Sequence, residues 1–547
     1  MVRVCVAARQ LLRDQWFDEF DLFESENLAA ETVDNLGKLV LFLPQQLGAS
    51  EIAFLSRLAE ISPIVALIGV TGAGEADRDP KRIADSFGTR LLAPNVDPSS
   101  ASGVMSVSDP DDEVRSAVRS VVGLLDQGVT ASQVAVLYPH RHPYGRLLEE
   151  HLKASDICFS GVSSRTVANS MPGRFIATLL ALPDKDLHVD EVLEFLSSSQ
   201  LLRHPDNPAL VPAVAWSKAA KNAGVAGGLG DWSEKLSRHR DQLLTTATQE
   251  RLRTGDNRQA SRREQQAQDV DDLLSFVTEL DQFVHLETLP TDWEGLCSWL
   301  RRAIERYLGP RSRFESLQSD FAAIERILDN LESLVRVESR TTFAVFRRSF
   351  ETQLQDSNER IGKLGQGVFV GDIRQAWGLN FDHAFILGLA EGIFPVPPRK
   401  NGLISDEDRA LLNGALPMSR DTTYDDQRRL FAILSSCNST TLLFPRGDLR
   451  QHKENYPTRW LENMASFNGF DSLEDALSTP DHPWARHQPS FIAGLRGSAF
   501  PASCHEFDLA SLLDSRDQNQ DLGSVSLNNT SASVSYTHLT LPTNREV

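Results

Sequence analysis

The sequence predicts an α/β protein with parallel sheets, interrupted by an all-helical insertion. Three observations lead there. Apolar runs of strand length alternate with amphipathic helical stretches over residues 1 to about 190; from about 191 to 355 the strand runs stop and helical periodicity takes over; and from 356 to 450 the strand and helix pattern returns. Continuous apolar strands separated by helices mean a parallel sheet covered on both faces. At 547 residues, about three to five structural units are expected, given ~100 to 200 residues per domain.

The elements follow in order. Residues 1–97 read as a helix through VRVCVAARQLL, a second through NLAAETVDNLG, the strand KLVLFLP, the helix SEIAFLSRLAEI and the strand PIVALIGV. Residues 98–190 continue with the strand VMSVSD, the helix DDEVRSAVRSVVGLLDQG, the strand SQVAVLYP and a helix through YGRLLEEHLKAS, apolar at Leu147, Leu148 and Leu152. In 191–355, Leu273, Phe276, Leu280 and Phe283 recur at helical spacing, as do Phe321, Ile324, Ile327, Leu328, Leu331 and Leu334; these stripes are packing faces. In 356–450, GVFVGD, HAFILGL and TTLLFP are strands. Residues 451–532 are rich in Pro, Gly, Ser, Asn and Asp, and read as loops and a linker.

Composition narrows the function classes. With 41% hydrophobic and 24% charged residues and no low-complexity tract, the chain has the make-up of a soluble globular protein. Its apolar runs fall short of the ~20 residues of a spanning helix. Arg3, Arg9 and Arg13 leave no uncharged signal core, so a cytoplasmic protein without a membrane partner is expected. Cys5, Cys158, Cys297, Cys437 and Cys504 form no CxxC pair, and no zinc ligand spacing accompanies them. The net charge of -20 argues against a surface that binds nucleic acid everywhere, while permitting a local basic groove. Lys235, Arg238, Arg240, Arg251, Arg253, Arg258, Arg262 and Arg263 form such a local excess. They read either as phosphate contacts or as a solvated helix pair, which is the commoner fate of a charge run.

The order of segments resembles the second half of a UvrD/Rep-type helicase, in which two RecA-like domains grip ATP and a helical domain is inserted into the second. VAVLYP followed by RLLEEHLKASDICFSG resembles motif IV of that family, with Arg146 as its phosphate-approaching arginine. GDIRQAWGLNFDHAFILGLAEGIFP resembles motif V and the strand after it, matching best at Gly378-Leu379 and from Gly388 to Pro395. DDQRRLFAILSSCNSTTLLF resembles motif VI, with Arg428-Arg429-Leu430 in place. On this reading residues 1–97 are the remainder of a first RecA-like domain, 98–190 and 356–450 the two parts of the second, 191–355 the helical insertion and 451–532 a linker.

The departures from that family are chemical. Working motors usually carry Thr, His, Lys and Glu where this chain has Asp372, Arg374, Trp377 and Asn380. Cys437 stands where motif VI supplies an arginine to the γ-phosphate, and a neutral thiol cannot replace a guanidinium. There is no GxxxxGK[ST]; GVTGAGEA from Gly69 lacks the lysine and reads as a strand-to-loop turn. LVLFLP runs into Pro44-Gln45-Gln46 where a motor strand ends in two carboxylates for magnesium.

A kept scaffold with lost ATP chemistry is similar to the AddB or RecC type of helicase-nuclease subunit and to PD-(D/E)XK nuclease family proteins. The resemblance implies action in double-strand-break repair, a DNA partner, in particular single-stranded DNA, and a partner helicase-nuclease subunit. It implies no catalytic residue and no cofactor in this stretch. Magnesium, and in many relatives an iron-sulfur cluster, belong to a nuclease domain beyond it, and an earlier first-domain portion is expected before it. SVSYTHLTLPTNREV (residues 533–547) is similar to a translated sequencing adapter and is set apart as a non-native tail. Arg374, Gln375 and Trp377 are the candidates for contact with a single strand. The alternative for Trp377 is a core aromatic covering the lost lysine position, and the alternative for the whole chain is a scaffold that docks a partner subunit without DNA affinity.

Overall fold

The computed structural model describes residues 2–12, 21, 23, 33, 37–92 and 103–517, apart from 200–201, 205–206, 255–256, 311–313, 315–316, 398–403, 412–415, 449–452 and 481. Most of the expected helix NLAAETVDNLG, and residues 518–547 with the tail set apart above, lie outside the described residues. The chain divides into two compact units, one of residues 1–162 with 361–547 and one of residues 163–360.

In chain order the strands are β1 (Leu39–Phe42), β2 (Ile64–Leu67), β3 (Gly103–Val107), β4 (Val134–Tyr138), β5 (Phe159–Thr166), β6 (Arg203–His204), β7 (Asn207–Leu210), β8 (Asn358–Ile361), β9 (Val368–Asp372), β10 (Phe381–Ile386), β11 (Cys437–Pro445), β12 (Gly447–Asp448), β13 (Lys453–Glu454) and β14 (Ala485–His487). The main sheet has the order β14-β3-β11-β10-β4-β9-β5-β8. Its pairings from β14 through to β5 are parallel. The α/β class expected from the sequence, with the parallel sheet of a RecA-like domain, is what the structure shows.

Parallel neighbours need crossovers, and helices supply them on both faces. Side chains alternate across a strand, so β4 sends Val134, Val136 and Tyr138 to one face and Ala135 and Leu137 to the other. The first set packs with Val114, Val118 and Leu148 from the helices Pro110–Asp126 and Arg141–Ala154. The second packs with Leu430, Leu434 and Trp460 from the helices Asp421–Ser436 and Arg459–Phe467. The helix Pro110–Asp126 starts where its sequence allows: the Asp109 carboxylate accepts from the Asp111 and Asp112 amides at 2.8 and 3.0 Å, and proline occupies the first helical position.

The helical unit packs around one core in which Phe195, Trp216, Phe276 and Tyr307 meet. Leu273, Phe276 and Leu280, and Ile324, Leu328 and Leu331, are buried there, as their spacing implies. No helix among the described residues is long and apolar enough to cross a membrane.

Three expectations need correction. The helical unit begins at 163 rather than 191, because the helices Met171–Ala181 and Val189–Ser197 bury Phe175, Ile176 and Phe195 in its core. A short amphipathic helix carries no signal of which core will take it. Among the described residues the pair β1-β2 is covered on one face alone: Val40, Phe42, Val65 and Leu67, opposite one another in register, are exposed. A continuous apolar run does not say whether both its faces are covered. Finally, residues 453–517 are not a linker. They form the helices Arg459–Phe467, Leu473–Ser478, Phe491–Arg496 and Cys504–Asp517 and the strand β14, which extends the sheet beside β3. Two of the serines that suggested loops stand at helix starts, Ser472 and Ser490, their hydroxyls accepting from the Asp475 and Ala493 amides.

Candidate functional site

In open parallel sheets ligands bind beyond the carboxyl ends of the strands, and in the α/β unit a cavity of about 770 Å³ lies there. Pro139 and His140 follow β4, Asp372 to Arg374 end β9, Phe394 to Pro397 follow β10, and Asp421, Asp425, Asp426 and Arg429 come from the helix Asp421–Ser436.

The turn after β9 is built by its own side chains. Asp372 caps the short helical turn Ile373–Ala376: its carboxylate accepts the Arg374 amide at 2.8 Å, while the Gln375 side chain accepts the Asp372 amide at 3.1 Å. The same carboxylate takes both forks of the Arg374 guanidinium, at 2.8 and 2.7 Å. The hydrogen bonds it donates to Asp372 hold that guanidinium above its ordinary value, although its side chain is exposed. Arg374 and Gln375 are therefore engaged locally.

Trp377 is half-buried with its ring against Arg428, whose guanidinium carbon lies 5.4 Å from the ring centre. Arg428 is fully buried. Its Nη2 donates to the Gln45 carbonyl at 2.7 Å, Asp425 stands 3.8 Å away, and its Nε and Nη1 have no hydrogen-bond partner among the described residues, as is true of Trp377 Nε1. Burial lowers the Arg428 guanidinium from its ordinary value and raises the Asp425 carboxyl. Gln46 donates its amide to Asp425. Gly378, at φ +74, leaves room for Leu43 and Phe42, which a Cβ there would meet at 3.2 and 3.3 Å. The end of β1 is thus tied to the helix Asp421–Ser436 through the two glutamines noted in the sequence.

The remaining cations around the cavity are matched in the same way. Arg429 donates to Asp426 at 2.8 Å, and Asp426 also accepts the Val396 amide at 3.0 Å. Arg78 pairs with the buried Asp421 at 2.6 Å, and Arg409 lies 3.9 Å from Asp406. The loop at GVTGAGEA has the geometry of an anion cradle, but the chain fills it: the Thr71 amide and hydroxyl and the Gly72 amide donate to Asp77 at 2.7 to 3.0 Å. The strand end after β1 offers magnesium no carboxylate, so the residues there do not fit the ion.

Behind the cavity, Glu113 is buried in the sheet's helical cover and accepts the Gly388 amide at 2.6 Å and the Tyr144 hydroxyl at 2.8 Å. Burial pushes its carboxyl up to about 8. Gly388, at φ +76, sits so close to Pro139 and Tyr144 that a Cβ would meet them at 3.0 to 3.1 Å. This fixes the turn that carries Leu389 to Pro395.

Of the residues singled out in the sequence, Asp372, Arg374 and Arg429 line the cavity; Gln375, Trp377 and Arg428 are joined to them. Three are elsewhere. Arg146 is on the exposed side of its helix, bonded to Glu150 at 2.7 and 2.8 Å, and is not among the lining residues. Asn380 precedes β10 and Cys437 opens β11 opposite Phe381, so both stand at the amino ends of the strands, across the sheet from the cavity. Burial raises the Cys437 thiol. Cys158, Cys297, Cys437 and Cys504 are free thiols. Sequence reasoning missed Arg78, Asp77, Asp421 and Asp425; the spacing of Asp421, Asp425, Arg428 and Arg429 along one helix was the available signal. In the helical unit the basic stretch is largely paired: Lys235 with Asp231, Arg238 with Glu234, Arg240 with Asp271, and Arg251 with Glu264.

No model of a known family matches the chain. Part of it is similar to AddB-type subunits of the bacterial ATP-dependent helicase/deoxyribonuclease. That of Bacillus licheniformis is 31% identical over 121 residues, 21% of this chain and 10% of the relative. That of Clostridium botulinum is 28% identical over 119 residues, 20% and 10% respectively. That of Acetivibrio thermocellus is 23% identical over 153 residues, 26% and 13%. The matched stretches span about a tenth of the length of these relatives. They support an AddB-like relationship at most, and nothing finer.

Proposed function

We propose that this chain is the ATPase-inactive, helicase-like portion of a bacterial helicase-nuclease acting in double-strand-break repair and recombination, and that it holds single-stranded DNA beside a partner subunit. One observation carries the inactive site: three groups placed to meet a phosphate meet a carboxylate of this chain instead. Asp77 fills the loop at Thr71, Asp372 holds Arg374, and Asp426 holds Arg429. Transition-state charge in phosphoryl transfer needs donors free to receive it. Purified protein is expected to hydrolyse no ATP above background, with or without single-stranded DNA. Turnover that stays with the protein through purification and is lost on Arg429→Ala, at the cavity wall, would refute this.

The second reading is a docking scaffold without DNA affinity. The net charge of -20 and the Asp372–Arg374 pair favour it. Salt separates the two, because phosphate contacts release counterions and protein docking does not. If Arg374 leaves Asp372 for a phosphate, Arg374→Ala should weaken binding to all single-stranded sequences alike and reduce the salt slope by about one unit. An unchanged slope removes Arg374 from the DNA contact.

A further inference from the structure

The helical unit has a cavity of about 220 Å³ bounded by the helices Ala213–Ala223, Leu229–Thr254 and Asn257–Val284. Lys218 and Asn222 reach it from the first, His239 from the second, and Arg263, Gln266 and Asp269 from the third. The spacings of three and four residues put each set on one helix face. Five of these six side chains can donate hydrogen bonds to an anion. Asp269 already accepts from Gln265 at 3.3 Å, and Arg263 lies 3.8 Å from Glu250. Lys218 and the His239 ring have no hydrogen-bond or ion-pair partner among the described residues.

We propose that this cavity binds a phosphate group and, resting on the function proposed above, that its source is the backbone of a DNA strand. The charges favour a single negative group. Lys218 and Arg263 are balanced by Asp269 and Glu250, so the one charge of a phosphodiester would be matched by a proton taken up on His239. Burial alone holds that imidazole below its ordinary value in the free protein, and an anion beside it would raise it. Affinity for phosphate should therefore rise as the pH falls. The site is separate from the cavity of the α/β unit, and its test does not depend on DNA binding there.

The test is proton NMR of the histidine rings of the full chain, with His239 assigned by loss of its signal in His239→Gln. Inorganic phosphate and, separately, a single-stranded oligodeoxynucleotide are added at matched ionic strength. Both should raise the His239 titration midpoint by about one unit. Lys218→Ala, at an exposed position, should abolish the shift without altering thermal stability. A shift with inorganic phosphate alone would support the phosphate site and overturn its assignment to a DNA backbone. No shift with either would overturn the proposal outright, whatever the oligonucleotide does elsewhere on the chain.

Discussion

Replacing Glu506 with alanine should destabilise the α/β unit by about 3 to 5 kcal/mol, the cost of leaving one partner of a buried ion pair alone. Glu506 is 2% exposed and Arg119 4%. The carboxylate takes Arg119 Nε at 2.8 Å and Nη2 at 3.0 Å, Arg115 Nη1 at 3.2 Å and the Ala502 amide at 2.8 Å. Without it the Arg119 guanidinium, whose Nη1 already has no partner among the described residues, would be buried and unmatched. Glu506→Gln keeps an acceptor and should cost less. Burial by itself would raise the Glu506 carboxyl, but the hydrogen bonds and charge of Arg119 hold it below its ordinary value. Its contribution is therefore present above the unfolded-state value, and is lost as the pH falls through the folded one. The gap between wild type and Glu506→Ala in urea denaturation should close in acid. A loss under ~1 kcal/mol, the size of a surface ion pair, would return residues 485–517 to the status of a detachable segment.

Trp377→Ala should cost about 2 to 3 kcal/mol, somewhat less than the ~3 to 5 kcal/mol of a fully buried aromatic. The ring is half-buried and covers Arg428, so its loss removes packing and the cation–π contact together. Water reaching the unpartnered Nε and Nη1 of Arg428 would offset part of that loss. On this account any fall in DNA affinity should follow the fall in melting temperature. A variant that melts like wild type yet binds single-stranded DNA more weakly by roughly 1 to 3 kcal/mol would make Trp377 a base-stacking platform instead.

The strand and helix pattern was legible because it is local. A five-residue apolar run such as Val134–Tyr138 reads as a strand from its length and residue types, and the stripes at Leu273 and Ile324 declare a packing face by spacing alone. The residue types missing from a working nucleotide site were equally plain. What stands in their place was not, because partners distant in sequence decide it. Gln45 and Gln46 read as the absence of carboxylates, and only the fold brings Gln46 to Asp425, 379 residues along the chain. Arg374 read as an open cation, and the cap of its own turn gives it to Asp372.

The sequence by itself determined the parallel α/β class, the helical insertion and the absence of a GxxxxGK[ST] motif, since each depends on the order and spacing of side chains along the backbone. Only the tertiary structure decided that residues 453–517 belong to the sheet, that Arg428 is buried beneath Trp377, and that Asp77 fills the glycine loop. Those outcomes depend on which charge or apolar face comes within a few ångströms of another. Desolvation penalises a buried group left without a partner, and spacing along the chain carries no record of which partner a group finds.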